Sequence, residues 1–485
     1  MGVGLYTSRL VLDALGVVDY GIYGLVGGIV TMFAFLNSAM ASATQRYLSF
    51  DIGKKDWDRL QKTFNATLNI HILIAIVIFI LAETIGLWFV NTQLEIPKER
   101  MYAANWVYQF SIFAFLLNVV QVPYNALLFA REHMSVYAYV SILETVLKLA
   151  IVLYLVQADS DKLILYSILT FGVAFVIRMT YQIYCRKRFP ESKYKFYWNK
   201  AYYKELMSYS GWNLFGSVAM VIRGQGSNIL LNLFFGPVAN ASYAITMTVQ
   251  GVISGFISNF QVAVNPQIVK NYASGDKQAS LKLIYKSAKF SFFGMLILVV
   301  PVLINLEYLM NLWLKEVPPY AIEFIRLALI YVMIDAISTP LVTGAQATGK
   351  IKWYQIIIGT MIILTFPITY YLFSKNNNPL DLYKVIIGIS AISLLFRVMF
   401  LQKIMNLSLS IFFREVILRI CLVLSSLLVL NKIFDSTPSS NLLSFISVTA
   451  ISVLITFSLI YILGINRSER MFLITFLKNK FQNYL

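Results

Sequence analysis

Apolar runs of about 20 residues recur along this 485-residue chain and constrain its fold more than any other feature. A helix of that length crosses the roughly 30 Å of hydrocarbon in a lipid bilayer. Charged residues make up only 13% of the chain, against roughly 25% in soluble domains. The sequence therefore predicts an all-α integral membrane protein.

The apolar runs between polar breaks predict about fourteen transmembrane helices. The strongest run is LNIHILIAIVIFILAETIGLWFV at residues 68–90, and the weakest is the short first run. We expect the first helix to be truncated, because its apolar stretch is short. The predicted helices are 1–16, 20–45, 67–90, 103–130, 135–157, 163–185, 206–235, 239–266, 288–312, 320–346, 353–374, 380–402, 411–432 and 441–464.

The distribution of Lys and Arg predicts the orientation of these helices. The loops after the even-numbered helices and the C-terminal tail hold about 26 of these residues, whereas the opposite loops hold about 7. The even-numbered loops and the C-terminus are therefore predicted to face the cytoplasm. The formal charge of +17 then reflects topology and contact with membrane lipids, so no nucleic-acid partner is predicted.

Helices 1–6 repeat in sequence as helices 7–12. The aligned residues are Gly16 with Gly236, Tyr23 with Tyr243, Gly53 with Gly275, Pro123 with Pro340, and Tyr137 with Tyr354. Six helices per repeat imply two parallel bundles related by a pseudo-two-fold axis along the membrane normal, with a substrate site between them. The predicted divisions are a first bundle at 1–185, a basic cytoplasmic linker at 186–205, a second bundle at 206–402, and two further helices with a basic cytoplasmic tail at 403–485.

Polar residues inside the predicted helices are the candidate functional residues, because an unpaired charge in hydrocarbon is costly. Arg223 lies far from both ends of helix 7, so we expect it to face a water-filled cavity or an anion. Arg9 in helix 1 is its predicted partner from the other half. The same helix 7 supplies three further predicted substrate-binding residues: Asn213, Gln225 and Asn228.

Other charges inside the helices have alternative interpretations. Glu144 and Lys148 on helix 5 are four residues apart, so they form either a structural ion pair or part of an ion-coupling site. Asp335 in helix 10 is a candidate for coupling to protons or sodium ions. Three arginines near predicted helix ends are interpreted as snorkelling to the interface: Arg178, Arg397 and Arg419.

Pro123 and Pro340 occupy matching helices of the two repeats. A proline inside a helix frees a backbone carbonyl and permits bending, so both residues are predicted hinges.

The sequence does not predict an enzyme or a metal centre. Its two cysteines lie far apart and its two histidines are too few for a haem or zinc site. It contains no P-loop, HExxH or GxSxG pattern. No catalytic residue and no organic cofactor are therefore expected.

The segment SRLVLDALGVVDYGIYGLVGGIV at residues 8–30 resembles the first helices of polysaccharide flippases in the multidrug/oligosaccharidyl-lipid/polysaccharide exporter superfamily. The two-times-six-plus-two layout extends this resemblance over essentially the whole chain. O-antigen and capsule repeat-unit exporters are the most similar members. The short first helix departs from the family pattern.

This resemblance implies a bacterial inner-membrane transporter that flips an undecaprenyl-pyrophosphate-linked oligosaccharide to the outer leaflet by alternating access. It also implies a cationic cavity for the pyrophosphate or acidic sugars, to which Arg9 and Arg223 would contribute. Coupling to a proton or sodium gradient and operation beside a polysaccharide polymerase are further implications of the family.

Three alternatives remain open at this point. A multidrug or cation exporter of the same architecture would have a cavity dominated by acidic residues. A membrane polymerase or acyltransferase would need a longer outer loop or catalytic His and Asp groups. A passive scaffold or lipid scramblase would work without an ion gradient.

Overall fold

The computed structural model describes residues 2–31, 34–92, 94, 96–314, 317–434 and 441–471. Within these ranges it does not describe the side chains of residues 2–9, 12, 17, 25, 28, 29, 31, 34–36, 237 and 430–434. The described residues form helices and turns, with no β-strand among them. Nine helical segments of this described part are long and apolar enough to cross a membrane. The predicted all-α, multi-pass membrane architecture is confirmed.

Two compact units divide the chain. Unit 1 comprises Met1–Val218 and Tyr272–Gly275, and unit 2 comprises Ala219–Asn271 and Asp276–Leu485. The domain boundaries at 185, 205 and 402 stay predictions.

Unit 1 holds the helices of the first repeat. They are α1 (Gly2–Thr31), α2 (Ala34–Gly53), α3 (Trp57–Leu81), α4 (Leu87–Thr92), α5 (Met101–Ala130), α6 (Met134–Gln157), α7 (Lys162–Arg188) and the beginning of α8 (Lys200–Ala273). A π-helical turn at Ala82–Gly86 connects α3 to α4. There Gly86 leaves room for Tyr108, whose hydroxyl donates a hydrogen bond of 2.7 Å to the carbonyl of Ala82. The predicted third span is therefore one helix with a local widening.

Unit 2 holds most of α8 and all later helices. They are α9 (Lys277–Ile304), α10 (Leu306–Trp313), α11 (Ala321–Ala347), α12 (Lys352–Ile363), α13 (Thr365–Asn376), α14 (Asp381–Met405), α15 (Leu409–Phe412), α16 (Leu418–Phe434) and α17 (Leu442–Leu459). The predicted spans at 288–312 and 353–374 are each divided in two, at Asn305 and at Leu364.

A glycine at the same place in each repeat reverses the chain. Gly16 has φ 79° and ψ 167°, and Gly236 has φ 72° and ψ −171°. This region of backbone space is essentially restricted to glycine. The side chain of Asn240 donates to the backbone carbonyl of Asn228 at 3.0 Å and to its side-chain oxygen at 2.9 Å. Residues twelve apart in a straight helix lie about 18 Å apart, so the chain folds back at Gly236.

The third helix of each repeat begins about ten residues earlier than its apolar run predicts. Asp56 caps α3 by accepting a 3.0 Å hydrogen bond from the backbone N–H of Arg59. Asp276 caps α9 by accepting a 2.8 Å hydrogen bond from the backbone N–H of Ala279. The residues before these caps, Lys55 and Gly275, have φ values of 57° and 92°. Structurally, Gly275 therefore corresponds to Lys55, two residues after the Gly53 to which the sequence alignment matched it.

A tyrosine pair recurs in both repeats. The rings of Tyr23 and Tyr166 lie 4.9 Å apart in unit 1, and those of Tyr243 and Tyr383 lie 6.1 Å apart in unit 2. Each pair joins the second predicted helix of a repeat (20–45 or 239–266) to the sixth (163–185 or 380–402). The internal symmetry read from the sequence thus extends to side-chain packing.

An arginine clamp joins three chain segments at one end of unit 1. Arg100 donates to both carboxylate oxygens of Asp19, at 2.9 and 2.6 Å, and to both of Asp161, at 2.7 and 3.1 Å. Asp161 also caps α7 by accepting from the backbone N–H of Leu163 at 3.1 Å. The hydrogen bond from Arg100 lowers the pKa of the Asp161 carboxyl below its ordinary value. The clamp fixes the starts of α5 and α7 against α1.

The chain that leaves α7 folds back along α3. The backbone N–H of Lys195 donates to the side-chain oxygen of Asn65 at 2.8 Å. Asn69 accepts from the hydroxyl of Tyr194 at 2.9 Å and donates to that of Tyr203 at 2.9 Å. The predicted basic linker is therefore held to unit 1 by specific hydrogen bonds.

The chain segments that follow α14 and α17 are both held to α9. The backbone N–H of Ser408 donates to the hydroxyl of Tyr285 at 3.1 Å. Lys289 donates to both carboxylate oxygens of Glu469, at 2.9 and 2.7 Å, and both side chains are buried. Glu469 follows α17, so this ion pair joins the end of the last helix to α9.

Candidate functional site

Arg223 is the best-defined candidate residue of unit 2. It lies in α8, thirteen residues before the reversal at Gly236, and its side chain is half-buried. Its guanidinium donates a 2.9 Å hydrogen bond to the hydroxyl of Tyr331 on α11 and lies 5.1 Å from the centre of that ring. No carboxylate of the described residues lies within salt-bridge distance of Arg223. A neutral hydroxyl thus orients this cation and leaves its charge uncompensated at short range.

Asp335 lies on α11 one helical turn after Tyr331, so the two side chains share a face. It is close enough for its charge to act on both Arg223 and Tyr331. Arg223 and Asp335 lie on separate helices, α8 and α11. The structure brings the two residues into one cluster, which the sequence did not predict. A role for Asp335 in ion coupling stays a prediction.

Arg397 joins the same cluster, although its position near the end of a predicted helix favoured snorkelling. It lies on α14, and its charge acts on the hydroxyls of Tyr331 and Tyr354. Its Nε is buried without a hydrogen-bond partner among the described atoms. Sequence reasoning missed this residue because the packing of α14 against α11, which brings it to Tyr331, is not visible in a single helix.

The other predicted substrate-binding residues on α8 have separate environments. Asn213 is buried and belongs to unit 1, whereas Arg223 belongs to unit 2. Gln225 is exposed. Asn228 accepts the two hydrogen bonds from Asn240 across the reversal. The substrate-binding roles of these three residues stay predictions.

Arg9 lies in α1, but its side chain is outside the described part of the structure. Its pairing with Arg223 stays a prediction. Pro123 and Pro340 are buried within α5 and α11, and both helices continue through them. Their roles as hinges also stay predictions.

Glu144 and Lys148 form the ion pair that their spacing predicts. Nζ of Lys148 lies 2.6 Å from Oε1 of Glu144. Both side chains are substantially exposed, at 39% for Glu144 and 52% for Lys148. The pair therefore does not lie inside a packed core.

A family model described as polysaccharide biosynthesis protein matches residues 3–272, which is more than half of the chain. This protein belongs to that family. No curated protein matches the sequence.

Solved structures with the same fold are transporters of the MOP superfamily. An outward-facing multidrug resistance MATE family transporter matches with a TM-score of 0.72 and 14% identity, over 83% of this chain and 91% of that one. The MATE transporter ClbM in complex with Rb⁺ matches with a TM-score of 0.64 and 16% identity, over 84% and 94%.

A third match is a MOP superfamily transporter from Pyrococcus furiosus, for which a reverse polarity of the binding pocket suggests a different function. It has a TM-score of 0.66 and 13% identity, over 83% of this chain and 93% of that one. At such identities the similarity concerns the fold. Together with the family match, it confirms the predicted superfamily and the layout of two six-helix halves with two additional helices.

Proposed function

We propose that this protein flips an undecaprenyl-pyrophosphate-linked oligosaccharide from the cytoplasmic to the outer leaflet for surface polysaccharide biosynthesis. The family match to polysaccharide biosynthesis proteins supports this substrate class. The carrying observation is Arg223, a cation in the interior of α8 whose guanidinium is oriented by the neutral hydroxyl of Tyr331. A guanidinium has five N–H donors in a planar fork that matches phosphate oxygens. Arg223 therefore suits a diphosphate better than a cationic drug.

In the proposed mechanism, the cytoplasm-facing state admits the charged head group while the polyprenyl tail stays in the lipid. Arg223 and Arg397, with Arg9 as the proposed partner from the first repeat, bind the diphosphate. Asn213, Gln225 and Asn228 are proposed to bind other parts of the substrate. Rearrangement to the outward-facing state then carries the head group across the membrane.

A proton or sodium gradient is the proposed energy source, with Asp335 as the coupling residue. Protonation or cation binding at Asp335 would change the electrostatic field at Arg223 and so its affinity for phosphate. We further propose an inner-membrane location with a cytoplasmic C-terminus, and operation beside a polysaccharide polymerase. Reporter fusions after residue 471 test the orientation.

Complementation of a strain that lacks this gene tests the function. We expect the deletion to abolish surface polysaccharide and to leave lipid-linked repeat units on the cytoplasmic side. Arg223→Ala should fail to restore export at wild-type expression, whereas Arg186→Ala, at the exposed end of α7, should restore it. Full restoration by Arg223→Ala would show that this residue does not bind the substrate.

Multidrug export is the second candidate function, because the matching structures include MATE transporters, one of which is described as a multidrug resistance MATE family transporter. It predicts unchanged surface polysaccharide and increased drug sensitivity in the deletion strain. The same strain therefore separates the two functions. No enzymatic activity is proposed.

A further inference from the structure

The packed face of α6 opens at its middle. Buried or partly buried residues follow one another along this face at helical spacing: Val140, Leu147, Ile151 and Leu155. Glu144 falls on the same line, four residues after the first and three before the second. A residue in this position would normally be covered by α7 and α1, the helices that contact α6 most, yet the Glu144 side chain is 39% exposed. The part of unit 1 that the structure describes therefore leaves a gap beside α6 at the level of Glu144.

This gap lies near the middle of a membrane span. Glu144 follows the first residue of α6 by ten positions, and Lys148 precedes the last by nine. Their 2.6 Å ion pair remains exposed at that depth. Charged groups facing hydrocarbon are costly, and charged residues inside membrane helices nearly always face the protein interior or water. The pair therefore borders a water-filled space rather than lipid.

The chemistry of this surface suits a neutral ligand with many hydroxyl groups. Glu144 offers acceptor oxygens and Lys148 offers donor N–H groups, while the pair carries no net charge. The exposed hydroxyl of Thr145, which donates to the carbonyl of Ser141 at 2.8 Å, adds a further acceptor one residue away. An isolated anion or cation would meet equal attraction and repulsion here, whereas adjacent sugar hydroxyls would find both an acceptor and a donor.

We propose that Glu144 and Lys148 form a sugar-binding site for the oligosaccharide part of the transported lipid. This inference rests on the proposed function and gives the pair a role distinct from ion coupling. The arginines of unit 2 bind the diphosphate in the proposed mechanism, so the site on α6 distinguishes repeat units by their sugars.

Cysteine labelling tests whether the pair faces water. In a background without Cys185 and Cys421, Glu144→Cys and Lys148→Cys should react with a membrane-impermeant maleimide, because thiol reactivity requires the hydrated thiolate. Ile142→Cys and Leu153→Cys are matched controls on the opposite side of α6, with parent side chains 59% and 57% exposed. These controls should remain unlabelled. Absence of labelling at both 144 and 148 would overturn the proposal.

Protection from labelling tests the ligand. Lipid-linked oligosaccharide extracted from the deletion strain should slow labelling at residue 144 by about tenfold at saturation, whereas undecaprenyl diphosphate without sugar should not. Labelling that neither lipid slows would establish a water-filled space and reject a sugar site.

Binding measurements with the full chain in lipid nanodiscs separate this inference from the proposed function. Glu144→Gln combined with Lys148→Gln should weaken binding of the oligosaccharide lipid about tenfold and leave binding of undecaprenyl diphosphate unchanged. Arg223→Ala should weaken binding of both lipids. An effect of the double variant on both lipids alike would contradict the sugar site, while an inert Arg223→Ala would contradict the diphosphate site instead. Thermal unfolding of each variant verifies that it is folded.

Discussion

Asn65 and Tyr285 occupy equivalent positions in the two repeats and accept equivalent hydrogen bonds. Each lies nine residues after the aspartate that caps the third helix of its repeat. Each accepts from a backbone N–H in the chain that leaves the sixth helix, at 2.8 Å from Lys195 and 3.1 Å from Ser408. An amide and a phenol thus perform the same structural task.

The correspondence continues one turn further along each helix. Asn69 and Lys289 both lie thirteen residues after the capping aspartate. Asn69 hydrogen-bonds the tyrosines of the linker, and Lys289 pairs with Glu469. The third helix of each repeat therefore binds chain that follows its own bundle, with neutral partners in unit 1 and a buried ion pair in unit 2.

Alanine at either reversal glycine should destabilise the protein. Gly16→Ala or Gly236→Ala forces a side chain into a backbone region that costs about 1–3 kcal/mol for residues other than glycine. Thermal unfolding in detergent should show a lower Tm for each variant. Gly172→Ala and Gly388→Ala are controls, because these glycines lie in regular helices with open space at the Cβ position, and their Tm should stay equal or rise. Equal Tm changes at all four positions would contradict the backbone argument.

Removing one partner of the Lys289–Glu469 pair should be more damaging than removing both. Glu469→Ala leaves a buried ammonium without its carboxylate, which typically costs about 3–5 kcal/mol. Lys289→Met combined with Glu469→Leu removes both charges and should lie closer to wild type. A double-mutant cycle of unfolding free energies measures the difference. If the double variant is as unstable as Glu469→Ala, the ion pair is not the main contribution of these residues.

The arginine clamp of unit 1 should weaken in acid. Because the folded-state pKa of Asp161 is lowered, its contribution to stability is complete above its ordinary value near 3.9 and is lost as pH falls through the lowered value. Arg100→Gln removes the cause of this shift. Its Tm should be below that of wild type at pH 7, and the difference should narrow below about pH 4. Parallel Tm profiles between pH 3 and 7 would contradict the clamp.

Arg397 should contribute to transport despite its position near a helix end. Arg397→Gln removes a cation from the cluster around Tyr331 and should reduce polysaccharide export about tenfold, the cost of one charge-assisted hydrogen bond. Arg186→Gln, at the exposed end of α7, should leave export unchanged. If the two variants export polysaccharide equally at equal expression, Arg397 does not contribute to transport and the snorkelling interpretation stands.

The sequence predicted what depends on local patterns. Apolar length identified the spans, and aligned glycines at 16 and 236 identified the repeat, because glycine alone tolerates that backbone geometry. The apolar run placed the start of this helix at residue 67, whereas α3 begins at Trp57, because the first turns of α3 are polar and lie outside the hydrophobic run. Asp56 caps α3 and marks its true start, but the length of an apolar run carries no information about such a cap.

The candidate site was predicted only in part, because it depends on contacts between helices. The spacing of Glu144 and Lys148 predicted their ion pair, whereas their exposure depends on how α6 packs. Arg223 stood out in its own helix, but neither Tyr331 nor Arg397 did, since tyrosine is common in membrane proteins and distance to a helix end says nothing about neighbours. Long-range packing supplies this information.

The reversal at Gly236 determines where this protein can be labelled. Inside α8 (Lys200–Ala273) only Gly236 departs from helical backbone angles. The predicted helices 206–235 and 239–266 are therefore joined without a loop. An epitope tag or fluorophore inserted there would separate Asn228 from Asn240 and distort both helices. The turn at Gly275, which precedes a capped helix, offers exposed backbone positions instead. Reporter insertions there should be tolerated where those at 236 abolish expression.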